Sequence, residues 1–113
     1  MNVYDAAHTL SKAIKNSEEY KEFNKRQKNV YSNEQTKEMF EDFRKKAMEI
    51  QMEKMSGNKV SNEKMKEVKK LEEIVMSNPD INNFFKAEMR FTQMMNDVYK
   101  IMGESIDVNS LNE

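Results

Sequence analysis

The chain has no cysteine, no tryptophan, one proline, two glycines and one histidine among its 113 residues. Without cysteine it forms no disulfide and holds no thiolate-ligated zinc or iron–sulfur cluster. Two glycines and one proline leave few sites for the tight turns of a β-rich fold. No apolar run approaches the roughly 20 residues that span a bilayer. Met1–Asp5 lacks the basic start and apolar stretch of a signal peptide, so the sequence predicts a cytoplasmic protein. A dominant charge is missing too: 19 basic against 20 acidic side chains give a net charge of −1. Only three of the basic residues are arginine (Arg26, Arg44 and Arg90), and acids are interspersed, so direct nucleic-acid contact is not expected.

What is present compensates for a shortage of ordinary core residues. Leu, Ile, Val and Phe number 22, a share at the border of disordered sequences, but disorder also needs a high net charge. Eleven methionines help raise the hydrophobic fraction to 37%. The reading is all-α: one small helical domain over 1–103 and a flexible tail over 104–113.

Apolar periodicity and capping signals predict about five helices. The first covers 3–14, with Val3, Ala7, Leu10 and Ile14 on one stripe. Ser17 caps the second, whose inner edge is Tyr20, Phe23, Gln27, Val30 and Tyr31. Ser32-Asn33-Glu34-Gln35 reads as a capping box for a long helix over about 33–55. Gly57 lies in the clearest loop. Ser61 caps the fourth helix, with Met65, Val68, Leu71 and Val75 inward. Asn78 at N-cap and Pro79 at N1 open a second long helix over about 79–102, with Gly103 placed to end it. Long helices in so short a chain have little depth in which to hide their apolar faces, which points to helical faces shared in a homo-oligomer.

Three constellations bear on function. Met39, Phe40, Phe43, Ala47 and Ile50 share one side of the third helix, whereas Met48, Met52 and Met55 lie about 130° round from it at 100° per residue. The three methionines are either scattered surface residues or a seam for self-association or a protein partner, since Met packs adaptably at interfaces. The fifth helix is apolar over a wide arc that includes Phe84, Phe85, Phe91, Met94, Met95 and Val98, as expected of a central or shared helix. Phe85 and Met94 join the candidate interface on that ground. Glu88 falls inside the same arc and reads as a buried polar residue fixing helix register through an ion pair or hydrogen bond; a catalytic carboxylate and edge exposure are the other readings.

Catalytic and metal templates do not fit. Asp5-x-x-His8 offers the lone histidine, whereas carboxylate-bridged metal bundles need paired Glu-x-x-His motifs. There is no Gly-x-Ser-x-Gly elbow, and the two separate glycines make no phosphate loop. No catalytic residue, cofactor or metal site is assigned, and the chain is expected not to be an enzyme.

Val3-Tyr4-Asp5-Ala6-Ala7, Ser17-Glu18-Glu19-Tyr20-Lys21, Gln51-Met52-Glu53-Lys54, Ser77-Asn78-Pro79 and the segment Ala87 to Val98 resemble the YheA/YmcA/YlbF family of small bacterial proteins. The likeness covers about residues 3 to 102 and is nearest the YheA-like branch, whose Ala-Glu-x-Arg stretch is matched at Glu88 and Arg90. The resemblance implies a helical bundle that forms dimers or larger homo-oligomers. It also implies kinship with non-catalytic partners in a complex that influences ribonuclease Y, messenger RNA maturation and developmental traits. Some of those relatives hold iron–sulfur clusters through cysteines, which this sequence lacks. Two functions follow: a self-associating helical adaptor working through Met- and Phe-rich faces, or an accessory factor in RNA processing.

Overall fold

The computed structural model describes residues 1–106. Among them five helices follow one another: α1 (Val3–Lys15), α2 (Glu18–Tyr31), α3 (Glu34–Met55), α4 (Asn62–Met76) and α5 (Pro79–Ser105). Among the described residues there is no strand.

Side chains set the helix starts. Ser17 Oγ accepts from the Tyr20 amide at 3.2 Å, Ser61 Oγ from Lys64 at 3.2 Å, and Asn78 Oδ1 from Asp80 and Ile81 at 3.0 and 3.2 Å. Each satisfies an amide that the first turn leaves free. The start of α3 differs from the expected capping box. Asn33 Oδ1 takes the Thr36 amide at 3.0 Å, while the Ser32 hydroxyl donates back to the Asn29 carbonyl. The cap has moved one residue, because Ser32 still serves the end of α2.

The end of α3 is a Schellman closure. The Gly57 amide donates to the Lys54 carbonyl at 3.1 Å and Asn58 to Glu53 at 3.0 Å, with Gly57 at φ 80°. Gly103 does not end α5, which continues to Ser105. Glu104 and Ser105, expected in a loose tail, are therefore helical, and the remainder of that tail from 107 onward lies outside the described residues.

The chain divides into two compact units, the boundaries falling inside α2 after Asn24 and inside α5 after Phe85. One unit holds α1, the start of α2 and the greater part of α5. In it Phe91 packs between Tyr20 and Phe23, with ring centroids 5.8 and 5.2 Å apart, and Ala87 is buried. α1 buries no residue. Leu10 and Ile14 are half-covered, but Val3 and Ala7 of the same stripe are exposed, so half of the stripe read as inward has no cover.

The other unit, 25–85, contains the end of α2, α3, α4 and the first turns of α5. Its core is Val30, Phe40, Val75, Ile81 and Phe84, all at most 3% exposed. Phe40 meets Phe84 and Phe85 at 5.1 and 5.7 Å and Tyr31 at 6.0 Å, and Phe43 meets Phe85 at 6.2 Å. The Asn82 amide group donates to the Met76 carbonyl at 3.0 Å, pinning α5 to the end of α4.

Candidate interaction surface

α3 and α4 form a helical hairpin, closed by the Gly57 turn and running antiparallel, since Lys46 pairs with Glu67 and Glu53 with Lys64. Along one side the charges are matched. Lys46 Nζ lies 3.0 Å from Glu67 and 3.5 Å from Asp42, and Lys64 Nζ donates to Glu53 at 2.6 Å. The hydrogen bond to Glu67, aided by Asp42, raises the Lys46 ammonium above the usual lysine range; the hydrogen bond to Glu53 does the same for Lys64.

The other side is open. Ala47, Ile50, Gln51 and Lys54 of α3 face Met65, Lys66, Val68, Lys69 and Glu72 of α4 across a groove of about 520 Å³. Its floor is aliphatic. Lys54, Lys66 and Lys69 on its rim make no ion pair among the described residues. With Glu72 the rim carries a net charge of +2.

The methionines read as an interface stand out from α3. Met48, Met52 and Met55 are 59%, 61% and 81% exposed. Phe85 is half-buried in the aromatic cluster and thereby contributes to the fold. Met94, in the other unit, is half-buried beside a shallow depression with Glu19, Met89, Arg90, Gln93 and Asp97. Glu88 is half-buried rather than enclosed, and the wide apolar arc of α5 is only partly covered, with Tyr99 and Ile101 60% or more exposed. Phe85 and Met94 are thus half-buried, whereas the three methionines of α3 share an exposed face. His8 is exposed, and among the described residues no three His, Asp or Glu side chains converge as a metal site.

Two features escaped the sequence reading. Arg44 lies over three rings, its guanidinium carbon 4.7 Å from the centroid of Phe40, 5.5 Å from Phe85 and 5.8 Å from Phe84. Such stacking links charge to core packing. The groove is the second. One signal for it was in the sequence: Lys54 has Ile50, Gln51, Gly57 and Asn58 at helical pairing distances, and none is acidic.

A family model described as "Control of competence regulator ComK, YlbF/YmcA" matches residues 3–107. A UPF0342 protein from Symbiobacterium thermophilum is 35% identical over 107 residues, covering 95% of this chain and 96% of that one. Another from Clostridium novyi is 36% identical over 107 residues, covering 95% and 94%. Among solved structures, a "Protein of Unknown Function (DUF964) from Bacillus stearothermophilus" shares the fold with a TM-score of 0.82 at 17% identity, over 93% of this chain and 92% of that one. Five helices of this kind, matched by the family model over nearly their whole length, show that the chain belongs to the YlbF/YmcA family.

Proposed function

We propose that the protein is a non-enzymatic helical adaptor of the cytoplasm that self-associates through the Met48, Met52 and Met55 face of α3. The observation that carries this reading is the exposure of these three side chains, 59% to 81%, along one face of a helix that buries Thr36 and Phe40 in its first turns. Exposed aliphatic side chains aligned along one helix face favour association, and Met adapts to irregular partners. The family is named for control of a regulator rather than for a reaction, which agrees with an adaptor.

Size-exclusion with light scattering tests the proposal. The protein at tens of micromolar should run at twice its 13.4 kDa mass or more. The Met48→Glu/Met52→Glu/Met55→Glu variant should run as a folded monomer, because charge on the seam opposes its burial. A wild-type protein that is monomeric under these conditions overturns the reading.

A further inference from the structure

We propose that the α3–α4 groove is a docking site for an acidic amphipathic helix of a partner protein. This rests on the reading of the chain as an interaction protein, but not on its self-association.

Three observations argue for that occupant. The groove is lined by aliphatic groups of Ala47, Ile50, Met65 and Val68, so it offers apolar area to a partner's aliphatic side chains. Its open form between two antiparallel helices, about two turns of each, accepts a third helix laid along it. Its rim then decides the sign of the partner. Among the described residues Lys54, Lys66 and Lys69 are unpaired, while Lys46 and Lys64 on the opposite side of the same hairpin are matched with carboxylates. Carboxylates beside the apolar positions of an incoming helix would match the rim as Asp42, Glu53 and Glu67 match the closed side.

Other occupants fit less well. Two-fold pairing of the groove with the same groove of a second copy sets one net-positive rim against another, since such an interface uses the same patch twice. Single-stranded nucleic acid uses aromatic platforms for its bases, and no aromatic or arginine lines this groove.

The probe is a synthetic 15-residue peptide, labelled with fluorescein, with Leu at helical i, i+4, i+7 and i+11 positions, Glu beside them and Ala elsewhere. A second peptide carries Lys in place of each Glu. Fluorescence anisotropy against the full-length protein gives affinities, and amide chemical shifts give the place of binding. The acidic peptide should bind at least tenfold more tightly than the lysine peptide and shift Ala47, Gln51, Met65 and Lys69. The Lys54→Glu/Lys66→Glu/Lys69→Glu variant, altered only at exposed side chains, should weaken the acidic peptide at least tenfold and favour the basic one. The affinity of the acidic peptide should fall as salt is raised.

No binding, equal affinity for both peptides, unchanged binding to the triple variant, or shifts centred elsewhere overturns the proposal. Displacement of the peptide by an equimolar 15-nucleotide oligouridylate puts nucleic acid there instead and also overturns it. Dissociation of a wild-type oligomer by the triple lysine change assigns the groove to a second copy, again overturning it. Light scattering on the same samples separates the two readings. An oligomer that ignores the peptide leaves self-association standing, and a monomer that binds it leaves the groove standing.

Discussion

The two sides of the α3–α4 hairpin both carry lysines, and those lysines end in opposite states. On one, Lys46 and Lys64 meet Asp42, Glu53 and Glu67, so every one of these lysines has a carboxylate within 4 Å. On the other, Lys54, Lys66 and Lys69 border an aliphatic groove and meet none among the described residues. The difference comes from side-chain size, register and the number of acids, three on the matched side against Glu72 alone in the groove. Ala47 leaves space opposite α4, and Lys54 has no acid one turn away on either side. One side of the hairpin is finished within the chain, and the other is left for something to complete.

The largest test removes the support common to both sides. Phe84 is 2% exposed and packs 5.1 Å from Phe40, from which α3 leads into the hairpin. Phe84→Ala should cost about 3–5 kcal/mol through lost burial and a cavity. In a thermal melt followed by circular dichroism that corresponds to a fall of more than about 10 °C. A fall of only a few degrees would mean that the hairpin stands without the aromatic cluster.

A smaller effect comes from the turn that joins the two helices. Gly57 has φ 80°, and a methyl group there meets nothing within 4 Å, so the cost of Gly57→Ala is conformational rather than steric. An alanine in the left-handed region should lose about 1–2 kcal/mol. Both sides of the hairpin should loosen together, read as faster amide exchange along the inner faces of α3 and α4. Faster exchange on the open side alone would show that the ion pairs hold the hairpin by themselves.

The contrast between the two sides marks what could be read from the sequence. Caps at Ser17, Ser61 and Asn78 and the turn at Gly57 were legible because each depends on a few adjacent residues. The cap of α3 moved from Ser32 to Asn33 because two good capping residues are adjacent and the end of α2 competes for the first. Helical period also located the Met48, Met52 and Met55 face. It located the apolar stripe of α1 as well, but a period tells which face is apolar and not whether anything covers it; Val3 is 80% exposed. The groove depends on how α3 and α4 pack against each other, and the stack of Arg44 on Phe84 and Phe85 joins helices far apart in sequence, so both lie beyond the reach of local pattern.

The smallest prediction addresses the charges directly. Removing the matched lysines with Lys46→Met/Lys64→Met should lower Tm at pH 7 and low salt by less than Gly57→Ala does. Removing the unmatched ones with Lys54→Met/Lys66→Met should leave Tm unchanged or slightly raised, because no carboxylate loses a partner and the net-positive rim is relieved. Exposed pairs are weakened by salt, so in 0.5 M sodium chloride the two double variants should converge. Alkaline pH should act in the same direction. The folded protein holds the protons on Lys46 and Lys64 above the ordinary lysine value. The contribution of these pairs is therefore complete below that value, about 10.4, and is lost as pH rises through the higher folded value. Wild type should accordingly lose Tm over that alkaline range more steeply than Lys46→Met/Lys64→Met, while Lys54→Met/Lys66→Met follows wild type. If both double variants lower Tm equally at pH 7 and low salt, the two sides of the hairpin are not electrostatically different, and the case for an acidic partner in the groove loses its foundation.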